Sequence, residues 1–244
     1  MKEGENIQQK NIENLTELWK AVGTYFNGYH QFSEFEYAEV KDTQWPNRLW
    51  FHKKMSQENM IEIKEKLATI SSDITIPIWD YYPNNNTQLF VANGFKLKFE
   101  QVGMSLKLET FYELNENFKL LLVSNEREAI IWAELFQKSF GYVIGDKTVI
   151  NTLKEVNYYI AFDGNKPVGT ALTYETDKII GAHSVGIPSE NRRKGYANEI
   201  MKALINKGIE NNNKFMVLQA SEMGKGLYLK LGFQADFSIK NYVL

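Results

Sequence analysis

The stretch 179–209 restricts the possible fold more than any other part of the sequence, because it joins a strand pattern to a helix pattern through a basic turn. Its first part, 179–187, is an apolar run of the length typical of a buried strand. Its last part repeats apolar residues at the spacing of one helix face, and these are Ile200, Met201, Leu204, Ile205 and Ile209. The chain is therefore expected to contain a strand that leads directly into a helix N-terminus.

Three cations and two small residues stand at the start of this helix: Arg192, Arg193, Lys194, Gly195 and Ala197. A helix start presents backbone N–H groups that lack an internal partner, together with the positive end of the helix dipole. Small residues let a ligand approach the backbone closely, and a diphosphate is an anion that such a place binds. The turn therefore predicts a site for a phosphorylated ligand, although an ordinary surface turn can carry the same residues.

Composition limits the chemistry that the chain can perform. The 244 residues suit two small domains or one large one, and a net charge of −2 gives no reason to expect nucleic-acid or membrane binding. There is no cysteine, so disulfides, thiolate nucleophiles and cysteine metal sites are excluded. Three histidines far apart in sequence make a histidine metal site improbable. The polar start of the chain has no apolar stretch typical of a signal peptide, so we expect a cytoplasmic protein.

Helix and strand patterns alternate along the chain, which predicts the α/β (α+β) class with a domain boundary at 114–117 and domains at 1–114 and 115–244. Pro77 predicts that its strand lies at an edge or a bulge. Ser124 is expected to cap the helix that follows it. The turn 163–165 predicts a hairpin, and two strands, around Phe237 and Tyr242, are expected to close the chain.

The two halves contain similar segments, 89–95 and 227–233, which both read Leu-aromatic-x-x-x-Gly-Phe. In both, a short helix would end at glycine and a strand would begin with phenylalanine. The order of elements before them also agrees, which predicts two copies of one unit. The alternative is coincidence, since Gly-Phe commonly follows a short helix in unrelated proteins. The first copy has Phe90 where the second has Tyr228, and its long helix, starting at Ser56, has neither the cations nor the glycine. One working site, in the second half, is expected.

The second half resembles the GNAT acetyltransferase superfamily over about residues 119–244. That family carries Arg/Gln-x-x-Gly-x-Gly/Ala at the start of a long helix, and here the motif reads Arg192-Arg193-Lys194-Gly195-Tyr196-Ala197. A second family motif, a tyrosine followed by Leu-Gly-Phe, is present at 228–233. The whole chain looks like two GNAT-like units, each a mixed central sheet flanked by helices, with a degenerate first unit.

The resemblance implies acetyl-CoA as co-substrate and no metal. The backbone of Arg193, Lys194, Gly195, Tyr196 and Ala197, with Arg192 beside it, would hold the pyrophosphate. The strand residues Val185, Gly186 and Ile187 would pair with the pantetheine arm through their backbone. Ser221 is the nearest match to a Ser or Asn that bonds the cofactor in many relatives. Tyr228 would be the general acid for the departing thiolate, and its alternative is a ring packed in the core. The family's usual proline is displaced by one, to Pro188, which leaves open which N–H groups point at the cofactor.

The expected reaction is direct attack of an amine on the thioester, with the oxyanion held by a backbone N–H on the strand of Val185. His183 and Glu175 are candidates for the base, and either could instead be a structural residue. The acceptor is expected to be a small molecule or peptide with an amine, and the protein a monomer or homodimer.

Two other interpretations stay open. The protein could be a non-catalytic acetyl-CoA sensor or a partner-docking protein, against which the intact Tyr228 argues only weakly. The N-terminal unit could also be purely structural and cover the open sheet edge of the second unit.

Overall fold

A computed structural model describes residues 6–51, 55–70, 72–81 and 87–244. Seven helices and eleven strands occur in these ranges. In the first part of the chain they are α1 (Ile7–Tyr25), β1 (Tyr29–Gln31), β2 (Phe35–Ala38), β3 (Arg48–Phe51), α2 (Gln57–Leu67), β4 (Ile76–Trp79), α3 (Thr87–Ala92) and β5 (Lys96–Lys107). In the second part they are β6 (Phe118–Leu122), α4 (Glu126–Phe140), α5 (Asp146–Asn151), β7 (Asn157–Asp163), β8 (Lys166–Thr176), β9 (Ile179–Gly186), α6 (Tyr196–Glu210), β10 (Phe215–Ala220), α7 (Glu222–Lys230) and β11 (Gln234–Val243).

Contacts divide the chain into two compact units, Met1–Met104 with Gln219–Leu244, and Ser105–Leu218. The return of the last residues to the first unit left no signal in the sequence, because it is decided by strand pairing between distant segments. The predicted boundary at residue 114 divides the chain into two copies of one order of helices and strands, which is a different division from these contact units. It stays a prediction.

The second unit contains five adjacent strands in the order β10-β9-β8-β7-β6, in which β10 runs parallel to β9 and the other neighbours are antiparallel. Helices cover both faces of this mixed sheet. Tyr158 of β7 packs edge-on against Trp132 of α4, with ring centroids 5.0 Å apart. The ring of the next residue, Tyr159, lies 5.6 Å from Nζ of Lys207 on α6. Since successive strand residues face opposite sides, α4 and α6 lie on opposite faces.

The first unit contains a small antiparallel sheet, β1-β2-β3, and three further adjacent strands, β4-β11-β5. Its core gathers apolar side chains of strands and helices, including Leu49, Met60, Ile63, Ile76 and Phe90. β4 lies at a sheet edge, as Pro77 predicted, because proline has no N–H for a second neighbour. The predicted α/β class, with mixed sheets flanked by helices, is confirmed.

Two local predictions were wrong. The chain closes in one strand, β11, rather than two, because the residues expected to separate them pair without a break with β4, from Ile239 opposite Trp79 to Tyr242 opposite Ile76. The cap of α4 is Asn125 instead of Ser124, since Asn125 Oδ1 accepts from the N–H of Glu128 at 3.1 Å. The predicted hairpin is present, as β7 pairs with β8 up to Asp163.

The segment 108–117 lies along α6 and is fastened to it by side chains of that helix. The Asn206 amide donates to the carbonyl of Tyr112 and accepts from its N–H, both at 2.8 Å. Glu199 accepts from the N–H of Asn115 at 2.9 Å. A Cβ on Gly208 would come within 2.8 Å of the Leu108 side chain, so the glycine permits this close approach. The helix with the basic start is thus braced along its length.

Replacing Asn206 with leucine should destabilise the protein by about 1–2 kcal/mol, because the backbone of Tyr112 loses both partners at a partly buried place. The measurement is the free energy of unfolding from urea titration followed by fluorescence. Asn198→Leu on the same helix is the matched control, since the Asn198 side chain makes no hydrogen bond to any described residue. Equal stability of the two variants would show that this bracing contributes nothing.

Candidate functional site

Strand β9 contains one extra residue just before it ends. Leu172 of β8 pairs with His183, whereas Thr170 pairs with Gly186, so two steps along β8 match three steps along β9. Ser184 at this point has φ of +53°, a left-handed conformation that is uncommon outside glycine. This is a β-bulge, which takes Ser184 and Val185 out of the regular hydrogen-bond ladder.

The basic turn leaves β9 through a single 3-10 turn, Ser189–Asn191, and then bends twice before α6. Arg193 and Gly195 make these bends with φ of +63° and +84°. Gly195 is the N-cap of α6, and it has no side chain with which to cap the helix. A Cβ placed on Gly195 would meet no atom of the described residues within 4 Å, so these residues leave the space beside the backbone open.

Five consecutive backbone N–H groups, those of residues 193–197, donate to no described residue. The following groups are satisfied, since Asn198 and Glu199 donate to the Gly195 carbonyl at 3.0 and 3.2 Å. Unpaired N–H groups, an open backbone and exposed cations at Arg193 and Lys194 together form a place suited to an anion.

The long helix that the two-copy prediction matches to α6 begins differently. α2 has a complete capping box, in which Ser56 Oγ accepts from the N–H of Asn59 at 3.3 Å and Asn59 Oδ1 accepts from the N–H of Ser56 at 2.8 Å. Side chains therefore satisfy donors that remain unpaired at the start of α6. That the first copy has no anion site stays a prediction.

Arg192 holds the turn in place. Its Nε donates to the carbonyl of Ile187 at 3.0 Å, and its Nη2 donates to the carbonyl of Ser139 at 3.1 Å. Ser139 lies in the last turn of α4, where carbonyls lack helical partners and a cation is favourable. Of the three cations in the motif, Arg192 is thus engaged with the protein itself.

Two further contacts fix the neighbourhood of the turn. The Tyr196 hydroxyl donates to Asp163 Oδ2 at 2.6 Å, and this hydrogen bond raises the pKa of Tyr196. A Cβ on Gly186 would lie 2.4 Å from the ring of Phe140, so this glycine is required for the end of α4 to pack on β9. Sequence patterns pointed to Asp163 only as a turn residue and did not point to Ser139 or Phe140, because the importance of all three comes from contacts between separate elements.

The two candidate bases lie in different surroundings. His183 is partly buried on β9, immediately before the bulge. Glu175 lies near the other end of the β8–β9 pair, opposite Ile180. Its two carboxylate oxygens accept from the amides of Asn211 and Asn213, each at 2.8 Å. These contacts favour the structural alternative for Glu175, since it ties the end of α6 to β8.

Tyr228 and Ser221 lie on α7 in the first unit. Ser221 is the N-cap, and its Oγ accepts from the N–H of Gly224 at 3.2 Å. The ring of Tyr228 packs edge-on against Phe233, at a centroid distance of 5.8 Å, and passes Gly224, which leaves room for it. Burial raises the pKa of Tyr228 to about 12. The phenol therefore keeps its proton at neutral pH and can serve as a donor.

Two kinds of feature are absent from the described ranges. No helix there combines the length and the apolar character needed to cross a bilayer. No group of three or more acidic, histidine or cysteine side chains there is arranged to hold a metal ion.

Comparison with known protein families gives a match for part of this chain. Residues 154–235 match the model of an acetyltransferase (GNAT) domain. The matched range contains the bulged strand, the basic turn, α6 and the tyrosine motif of α7. A search of curated protein sequences gave no match.

Solved structures share the fold over most of the chain. A GCN5-related N-acetyltransferase from Kribbella flavida matches with a TM-score of 0.72 and 12% identity, covering 95% of each chain. One from Sphaerobacter thermophilus matches with a TM-score of 0.65 and 15% identity, covering 95% of this chain and 84% of that one. A tandem GNAT protein from the clavulanic acid biosynthesis pathway matches with a TM-score of 0.58 and 8% identity, covering 86% and 78%. Residues 154–235 are therefore similar in sequence to a GNAT acetyltransferase domain, and the chain as a whole shares the fold of these GNAT structures.

Proposed function

We propose that this protein transfers the acetyl group of acetyl-CoA to an amine of a small molecule or peptide. The observation that carries the proposal is the row of unpartnered N–H groups at 193–197, in a basic turn that directly follows a bulged strand. The diphosphate of acetyl-CoA fits the charge and donors of this turn. When bound, acetyl-CoA supplies the thioester that an amine can attack.

The backbone of β9 supplies the other contacts in this proposal. Val185, Gly186 and Ile187 lie beyond Ile179–Gly181, the part of β9 that pairs with β10, so their backbone groups on that side can pair with the pantetheine arm as an added strand does. A backbone N–H of the bulge at Val185 would donate to the carbonyl oxygen on which negative charge develops. Ser221 is proposed as a further hydrogen-bond partner of the co-substrate, since its hydroxyl hydrogen is not used in capping α7.

Tyr228 is proposed as the general acid that protonates the departing thiolate. Support comes from its place in the family motif, and its pKa of about 12 is compatible with a hydroxyl that carries its proton at neutral pH. His183 is the preferred candidate for the base, because it lies beside the bulge while both oxygens of Glu175 are engaged. The two-copy arrangement, with one working site in the second copy, also belongs to this proposal.

The proposal is tested by titrating the protein with acetyl-CoA and then measuring thiol release with polyamines, amino acids, aminoglycosides and peptides as acceptors. Binding with turnover supports it. Absence of acetyl-CoA binding would refute both this function and the sensor alternative. Binding without turnover across the panel would favour the sensor.

Gly195→Glu should raise the dissociation constant of acetyl-CoA by about 100-fold or more, because bulk and negative charge enter the open space beside the unpaired N–H groups. Calorimetric titration is the measurement. Gly94→Glu is the matched control, since Gly94 also has a positive φ, of +89°, and no atom of the described residues within 4 Å of its Cβ position, but follows the end of α3 instead of starting a helix. If Gly195→Glu bound acetyl-CoA with normal affinity, the phosphate site would have to lie elsewhere in the protein.

Substitution of the adjacent arginines should separate stability from binding. Arg192→Ala should reduce the free energy of unfolding by about 1 kcal/mol, because two hydrogen bonds to carbonyls are lost. Arg193→Ala, which removes an exposed cation, should leave that free energy unchanged and weaken acetyl-CoA binding several-fold. Thermal unfolding and calorimetric titration of both variants give the comparison, and the reverse pattern would contradict the assigned roles.

Tyr228→Phe should lower kcat by about 100-fold with little change in the dissociation constant of acetyl-CoA, because only a proton donor is removed. Tyr242→Phe on β11 is the control. An acid acts only below its pKa, so a pKa of about 12 also predicts no fall in wild-type kcat from loss of this proton between pH 8 and 10. Unchanged kcat in Tyr228→Phe would exclude it as the acid.

A further inference from the structure

The bulge in β9 places a non-glycine residue, Ser184, in a left-handed conformation that the local sequence does not favour. Such a conformation persists only where surrounding contacts determine it. The contacts at this point therefore reveal which residues fix the shape of the strand.

Thr170 makes the first of these contacts. It is fully buried on β8, and its backbone pairs with Gly186 on the far side of the bulge. Its Oγ1 donates to the carbonyl of Ser184 at 3.0 Å. Because Val185 N–H belongs to the same peptide group as that carbonyl, the hydroxyl of Thr170 sets the orientation of this N–H.

Trp132 makes the second contact, from α4. Its Nε1 donates to the carbonyl of Ala171 at 3.0 Å, and Ala171 is the β8 residue between the two pairs that flank the bulge. The indole is itself held rigidly, since it is fully buried, stacks on Phe136 with centroids 5.1 Å apart and meets Tyr158 edge-on. The indole of Trp132 thus gives the Ala171 carbonyl a hydrogen-bond donor at the place where the ladder between β8 and β9 is irregular.

We propose that Thr170 and Trp132 are positioning residues, which hold the Ser184–Val185 peptide group in the orientation that directs its N–H toward the reacting carbonyl. The inference rests on the proposed acetyl transfer. Neither side chain contacts the co-substrate in this proposal. They act by fixing the orientation of the Val185 N–H. The hydrogen bond from this group to the oxygen that becomes negatively charged weakens when the orientation is wrong.

Thr170→Val removes the hydroxyl and keeps the shape of the side chain, so it is the decisive variant. We expect kcat to fall about 10-fold to 100-fold, while the dissociation constant of acetyl-CoA and KM for the amine stay within about three-fold. Thr170→Ser, which restores the hydroxyl, should recover most of kcat. The matched control is Thr173→Val, a threonine equally buried on β8 that pairs with Ala182, outside the bulge. Full kcat in Thr170→Val, or an equal fall in Thr173→Val, would overturn the inference.

A second readout does not depend on turnover. In amide NMR spectra of the free protein, Thr170→Val should shift the Val185 signal, because the neighbouring carbonyl of Ser184 loses its hydrogen bond, whereas Thr173→Val should not. Trp132→Phe, which keeps an aromatic ring but removes the donor, should affect the same signal. If the wild-type protein shows no turnover with any amine, the proposed function fails, and these spectra still decide whether Thr170 fixes the peptide. An unchanged Val185 signal in Thr170→Val would overturn the positioning role.

Discussion

The hydrogen-bond ladder between β8 and β9 is interrupted at Ser184 and Val185, and the candidate site depends on this interruption. A regular ladder would use every backbone group of β9 within the sheet. The extra residue frees part of the strand from its neighbour just before the chain turns toward α6. Backbone groups that a regular strand keeps for its neighbour thereby become available to a ligand.

The N-terminus of α6 depends on a second departure from regular structure. Most helices satisfy their first N–H groups with a side-chain cap, as α2 does with Ser56 and Asn59. α6 begins with Gly195, which cannot provide one. Unpaired donors and adjacent cations destabilise a helix start in isolation, so other contacts must hold this one in place. Arg192, Tyr196 and Asn206 provide them, through Ser139, Asp163 and Tyr112.

Several features were predictable because they are local. The periodicity of α6, the apolar run of β9 and the turn glycine at 195 could each be interpreted from neighbouring residues alone. The motif at 192–197 predicted an anion site, and the structure places unpaired donors there. Glu175 was less predictable, since its partners, Asn211 and Asn213, are distant in sequence. The single closing strand was missed because β11 is kept continuous by its pairing with β4, which no local pattern reveals.

The sequence by itself determined the family motif and the basic, uncapped helix start, because each depends on residue type and spacing within one short segment. It also determined the α/β class, because helix and strand periodicities alternate along the chain. Only the tertiary structure decided that Arg192, although exposed like Arg193 and Lys194, holds the turn to α4. It also decided the bulge, since whether a strand gains an extra residue depends on its register with a neighbouring strand. Register and hydrogen-bond partners are properties of elements brought together from distant parts of the chain, and they exist only once the sheet and its covering helices have packed.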